Sequence, residues 1–483
     1  MAGGRSVSVT PYASVSETFT DNANLSPDGQ WDAITRATLG LSMTGTYRSL
    51  TGRLSLGLTG LYSARGKVDN RLDNASTLNA AGTLALVDDR VFLDGYARVS
   101  QRLVDPFGVS PSEPQRPTGD TTTTFDYGLS PWARGTIGGS VNYYARLNVS
   151  GSTNAESSAY GARDLAALVR LDGGTGFRRL GWALTAVGRS SAYGSAAVRT
   201  GNYGGTASLI YAVTPYFSVR ANAGVEYRNY ADADVTQRSR LYGAGVDWQP
   251  TDRTSITGFY ENRFFGDAYF ASVQHRTAKT VWTYRGRQGI SEVGGVTPVS
   301  LGTNYDLFFQ QFASIEPDPV KRDQLVREFL LRNGIPLEQQ VVAGFLTRRI
   351  QLQRSHDFSF AWRLSRRDTL ILSIGQGDTS ALVEFLGAGD TFDNDSVVRS
   401  RRFSAALSHQ LTPRSSISVI GGRTKTADRD GARSTTQDTF VANWGTTTGR
   451  RSRVDVAVRH TTFNSPTRPY DENALTATLN IRF

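Results

Sequence analysis

Along most of the chain apolar and polar residues alternate one for one, in segments of nine or more residues separated by turn residues. Successive strand residues point to opposite faces, so each segment has one apolar and one polar face. From 37 to 47, Ala37, Leu39, Leu41, Met43, Gly45 and Tyr47 oppose Thr38, Gly40, Ser42, Thr44 and Thr46. Leu54, Leu56, Leu58 and Tyr62 repeat the pattern against Arg53, Ser55 and Thr59. Val141 to Val149, Phe217 to Val225, Phe403 to Leu407 and Val454 to Val458 read the same way. A soluble sandwich also alternates, but with strands of about five or six residues; a tilted membrane strand needs nine or more. About ten short turns, such as Asp88-Asp89 and Pro413-Arg414, alternate with longer polar loops. The pattern predicts an all-β, closed antiparallel transmembrane barrel of 20–22 strands over residues 5–483, with apolar residues to lipid and polar residues to the lumen.

The last segment sharpens this. Leu475, Ala477, Leu479, Ile481 and Phe483 alternate up to an aromatic C-terminal residue. Leu479, Ile481 and Phe483 resemble the signal read by the barrel-assembly machinery, an expected partner together with outer-membrane lipid and lipopolysaccharide. The expected location is therefore the outer membrane. Cysteine is absent, in keeping with passage through an oxidising periplasm. No apolar leader precedes the first strand, so the chain reads as a mature form. No plug domain precedes it either, which disfavours a TonB-type receptor.

Residues 287–345 break the alternation and read as an irregular insertion. Asp318-Pro319 can cap and open a helix, and Asn333-Gly334 with Pro336 can end it, which predicts one short helix over 318–334. Leu325, Val326, Phe329 and Leu330 form its apolar face, which must pack against something. Leu325, Phe329 and Leu330 are the candidate gate or constriction. The placements open to the helix are the lumen, the outer mouth and, third, the periplasm; a purely structural insertion fits equally.

Composition then adds charge. Net charge is +10, and with four lysines among 53 basic residues, 53 − 4 leaves 49 arginines. Arg53, Arg98, Arg102, Arg146, Arg170, Arg220, Arg363, Arg402 and Arg453 fall on the polar phase, with Tyr96 and Tyr144. They are the candidate lumen lining, fit to draw in anions, although Asp94, Asp247, Asp357, Asp455 and Glu226 on the same phase could pair with them. No basic stripe marks a soluble surface, which argues against nucleic acid. The four His lie in no GxSxG or HExxH context, so an enzyme is not expected, nor a cofactor or metal. The loop acids Asp21, Asp28, Asp32, Asp390, Asp393 and Asp395 lack EF-hand spacing.

Several stretches together resemble a known family. They are Ser16-Glu17-Thr18-Phe19-Thr20-Asp21-Asn22, Arg263-Phe264-Phe265-Gly266-Asp267-Ala268-Tyr269, His275-Arg276-Thr277 with Val281-Trp282, Pro317-Asp318-Pro319-Val320 through Asn333-Gly334-Ile335-Pro336, and Gly344-Phe345-Leu346-Thr347. They resemble the outer-membrane β-barrel family associated with the PEP-CTERM/exosortase system. The resemblance implies a conduit for export of an anionic exopolysaccharide, working with a polysaccharide and periplasmic export partners. A general or anion-selective diffusion porin is the alternative.

Overall fold

The computed structural model describes residues 6–68, 76–109, 120–154, 161–193, 198–229, 236–291, 350–382 and 397–483, and between them Tyr305, Phe309, Arg322, Val326, Arg327 and Leu330. Twenty-two strands stand in chain order. The first eight are β1 (Ser6–Thr20), β2 (Asp32–Tyr47), β3 (Leu50–Ser63), β4 (Thr77–Val87), β5 (Val91–Leu103), β6 (Thr121–Ile137), β7 (Val141–Asn154) and β8 (Ala162–Gly174). Then come β9 (Leu180–Tyr193), β10 (Val198–Thr214), β11 (Phe217–Arg228), β12 (Gln237–Thr251), β13 (Thr254–Arg263), β14 (Gly266–Arg276) and β15 (Thr280–Ser291). The last seven are β16 (Gln351–Arg363), β17 (Asp368–Ala381), β18 (Val397–Thr412), β19 (Ser415–Ala427), β20 (Ser434–Thr447), β21 (Ser452–Asn464) and β22 (Tyr470–Arg482).

Each strand pairs antiparallel with its neighbours in sequence, and β1 also pairs with β22, so the sheet is a closed barrel. At the seam Val15 lies opposite Leu479 and Ala13 opposite Ile481. The Phe483 N–H donates to the Pro11 carbonyl at 2.9 Å. Closure leaves no unpaired edge, which a chain surrounded by lipid requires.

Even-numbered strands join the next through turns of two to five residues at one end, such as Arg48-Ser49 and Pro413-Arg414, and both termini lie there. The other end carries the longer connections, including residues 292–350, together with the short ones after β9 and, at Phe264-Phe265, after β13. The alternation read from the sequence is realised as an outer face rich in exposed Leu39, Leu58, Leu129, Leu209, Phe403 and Val458, set against an inner polar face.

Two expectations about the irregular region change. β15 continues through Ser291, so residues 287–291 are strand and not insertion. The helix expected over 318–334 is not among the described elements; most of that stretch, with Leu325 and Phe329, lies outside the described residues. Arg322, Val326, Arg327 and Leu330 do have helical backbone.

Candidate functional site

Strand phase decides which side chains can meet a solute in the lumen. Arg53 alternates with exposed Leu50 and Leu58 on β3, and Arg402 with exposed Phe403 and Leu407 on β18, so both point inward. By the same parity Arg98, Arg102, Arg146, Arg170, Arg220, Arg363 and Arg453 share the inner face, as do Tyr96 and Tyr144.

These residues do not form one site. Several are held by carboxylates along the wall. Arg102 Nη2 meets Asp126 at 2.6 Å, and Arg146 Nη2 reaches Asp94 at 2.9 Å. Arg170 and Arg453 pair with Asp172 at 3.0 Å and Asp455 at 2.8 Å, two residues on in the same strands. Arg363 reaches the Ala278 carbonyl at the short-turn mouth. Tyr144 tilts against Trp132, which stacks on Phe92 with centroids 4.0 Å apart. Phase alone did not single out Arg189 with Asp164 or Arg263 with Glu226, each at 2.6 Å. Arg102 and Arg189 link neighbouring strands, Arg146 and Arg263 reach two strands along the wall, and Arg170 and Arg453 pair within their own strands; the part-exposed Arg146 and Arg170 pairs contribute about 0–1 kcal/mol each.

Of the loop acids, Asp21 and Asp32 are likewise engaged, and Asp390, Asp393 and Asp395 lie outside the described residues. Asp21 accepts the Asn473 N–H at 2.7 Å and its Nδ2 at 2.8 Å. Asp32, fully buried, accepts the N–H groups of Ala33, Arg65 and Lys67 and the Ser63 hydroxyl.

A different group converges in the lumen. Tyr305, Val326 and Leu330 form one buried cluster with Ile371, against which Phe309, Ala361 and Ala406 pack. Ala361, Ile371 and Ala406 are register partners on β16, β17 and β18 and share the inward phase of Arg402, four residues from Ala406. The described residues Tyr305, Phe309, Val326 and Leu330, from between β15 and β16, therefore lie inside the barrel. Val326 and Leu330 are fully buried, and burying side chains of this size contributes roughly 1.5–3 kcal/mol each.

The Arg53 guanidinium lies 5.8 Å from the Tyr305 ring centroid, and that of Arg327 lies 5.0 Å away. Arg53 is on β3 and Ile371 on β17. Counting β17 to β22, β22 to β1 and β1 to β3 gives 5 + 1 + 2 = 8 strand steps around the wall. Each is the fourth residue of its strand from the short-turn end. Tyr305, with Val326 and Leu330, thus lies between two distant parts of the wall, low in the barrel. Of the expected gate residues, Leu330 is in this contact and Leu325 and Phe329 lie outside the described residues. The four-residue spacing of Val326 and Leu330 was visible in the sequence; Tyr305, Ala361, Ile371 and Ala406 carried no signal there.

Above this contact the wall becomes basic. Arg285 on β15 lies opposite Asp357 on β16, which lies opposite Gly375 on β17, itself opposite Arg402 on β18. Arg287 is the next inward residue of β15 and donates to Gln353 Oε1 at 3.2 Å. A Cβ at Gly375 would lie 2.9 Å from Asp357 Oδ1, so any larger residue there would move the carboxylate from its place between the arginines. Asp357 is four residues from Ala361, about 13 Å along a strand, on the long-loop side of the plugging contact.

No family model and no curated protein matches the sequence. Solved structures of similar architecture include the FrpB iron transporter of Neisseria meningitidis, at 11% identity over 98% of this chain and 82% of that one, TM-score 0.49. The ferric enterobactin receptor PfeA of Pseudomonas aeruginosa matches at 10% identity over 98% and 80%, TM-score 0.48. The ferric preacinetobactin receptor BauA of Acinetobacter baumannii matches at 11% identity over 98% and 80%, TM-score 0.46. Likeness at this level is one of barrel architecture alone; the closed 22-strand sheet with its exposed apolar outer face places the chain in the outer membrane, short turns to the periplasm.

The functional expectation is corrected. These similar barrels are an iron transporter and siderophore receptors, not polysaccharide channels or porins. Tyr305, Val326 and Leu330 of the chain itself also pack against the inner wall at Ile371. The exopolysaccharide conduit, its polysaccharide and periplasmic export partners and the porin alternative are accordingly set aside. So is the case against a receptor, which rested only on where the chain begins.

Proposed function

We propose that this chain is a gated outer-membrane transporter, occluded by its own β15–β16 connection and opened by displacement of that connection. The observation that carries this reading is the packing of Tyr305, Val326 and Leu330 low in the lumen, between Arg53 on one side and Ile371 on the other. A solute entering from outside meets Arg285, Arg287 and Arg402 around Asp357 before it meets the plug. Among the described residues of β15 to β18 there, three guanidiniums to one carboxylate leave 3 − 1 = +2, so the cargo class proposed is a polar anion. Guanidinium groups hold carboxylate and phosphate in a forked geometry.

Planar-bilayer recording tests the gate. The intact chain should be closed at low voltage, and a variant with 300–335 replaced by a short Gly-Ser linker should conduct steadily. Equal steady conductance of the two would end the gated reading. In the opened variant, Arg287→Gln with Arg402→Gln should shift reversal potential away from anions. An unmoved reversal potential removes the anionic cargo and leaves the gate standing.

A further inference from the structure

The outer wall carries a feature that the lumen does not use. Towards the extracellular end of β16, β18 and β19 the lipid-facing phase turns from apolar to basic. On β18 it runs Leu411, His409, Leu407, Ala405, Phe403, then Arg401 and Arg399; on β19 it runs Ile417, Val419, Gly421, then Arg423 and Lys425. Arg354 continues the same phase on β16 above Phe358 and Phe360. All five cations are exposed.

Register brings them together. Arg401 lies opposite Lys425, and Arg423 opposite Phe403, two residues from Arg401. Arg399 and Arg354 both lie opposite Asp378 of β17. Directly opposed residues stand about 5 Å apart, so these side chains form one patch. Asp378 and Asp438 are the acids on the same face, Asp438 held by Arg423 through two hydrogen bonds of 2.6 and 2.9 Å. Among the described residues of this face, five cations less two acids leave 5 − 2 = +3. At the same end, the outer faces of β1, β3 and β6 instead present Phe19, Tyr62, Phe125 and Tyr127.

Like charges are not gathered without a counter-charge. This patch faces outward, away from any solute in the lumen. It sits immediately above Ile374, Phe403 and Phe440, exposed to lipid at 52%, 48% and 49%. A ligand that fits must be apolar below and multiply anionic above, and must lie in the outer leaflet. We propose that the patch formed by Arg354, Arg399, Arg401, Arg423 and Lys425 is a binding site for the phosphate groups of lipid A, whose acyl chains lie along Phe403 and Ile374. Forked guanidiniums suit phosphate oxygens, and desolvation at the headgroup level strengthens each contact. The site is independent of the gate inside.

Native mass spectrometry of the detergent-purified chain, titrated with defined lipids, tests this. Bisphosphorylated lipid A should bind at least tenfold more tightly than the same lipid stripped of both phosphates, and more tightly than phosphatidylglycerol. Arg399→Gln, Arg401→Gln, Arg423→Gln and Lys425→Gln combined should abolish the difference. Arg238→Gln with Arg240→Gln, on the outer phase of β12, should keep it. Equal binding of the two lipid A forms to the unaltered chain overturns the proposal without recourse to any variant. Equal binding of phosphatidylglycerol overturns lipid A as the occupant, and a combined variant that folds yet still discriminates overturns the residues.

Discussion

Tyr12 on β1 lies across Gly40, its register partner on β2, with its ring in the space a Cβ at 40 would fill. Its hydroxyl continues over the next strand to donate to the Leu56 carbonyl at 3.3 Å. Tyr96 covers Gly128, its own partner on β6, in the same way. An aromatic ring over a cross-strand glycine shields bare backbone and pins register. Gly40→Ala should therefore cost about 1–3 kcal/mol by overpacking. Tyr12→Ala with Gly40→Ala should cost less than the sum of the single changes. The midpoint of urea unfolding in detergent measures both; additive losses would separate the ring from the glycine.

Leu330 has no exposed surface in the lumenal cluster. Leu330→Asp would bury an unpaired carboxylate, which the segment can avoid only by leaving the wall. Frequent openings in planar bilayers are expected where the unaltered chain is closed. Leu330→Met, which keeps volume and polarity, should remain closed.

Glu472 is fully buried between Arg459 of β21, at 3.3 Å, and the Thr20 hydroxyl of β1, at 2.9 Å. It joins three strands across the seam of the barrel. Glu472→Ala strands a buried guanidinium and should cost about 3–5 kcal/mol. Asp172→Ala, in a part-exposed pair, should cost no more than about 1 kcal/mol. The temperature at which the folded band disappears in heat-modifiable gel migration ranks the two. An equal drop would contradict the burial argument.

Asp32 and Ser63 gather the N–H groups of Arg65, Lys67 and Val68 at the extracellular rim. Asp32→Ala removes acceptors from buried donors, at about 1–3 kcal/mol. Tryptic cleavage after Arg65 and Lys67 on intact cells should rise several-fold, while cleavage after Arg48, at the periplasmic turn, stays absent.

What the sequence made legible follows from period two. Alternation survives in every lipid-facing stretch because lipid tolerates few polar groups, so Leu39, Leu58 and Phe403 were readable without a fold. It also placed Arg402 and Arg453 inward. The same rule puts Arg399 and Arg401 on the face of Phe403, but the patch they form with Arg354, Arg423 and Lys425 depends on register across four strands. Pairings across strands, such as Tyr12 with Gly40 or Arg146 with Asp94, depend on register, which the turns set and no single segment encodes. The contact between Tyr305, Leu330 and Ile371 joins parts of the chain whose nearness only closure produces. The expected polysaccharide conduit failed for that reason: a polar wall was legible, its occupant was not.

The bond from the Phe483 N–H to the Pro11 carbonyl spans nearly the whole length of the chain. Non-local pairing of this kind forms late, because the loop between the partners must close first. Until Phe483 has been synthesised, β1 has nothing to pair with on its free side, and every partly built sheet carries two sticky borders. Manufacture and insertion are thereby separated in time: the polypeptide must be escorted unfolded to the membrane, where its first and last strands zip together as the finishing step.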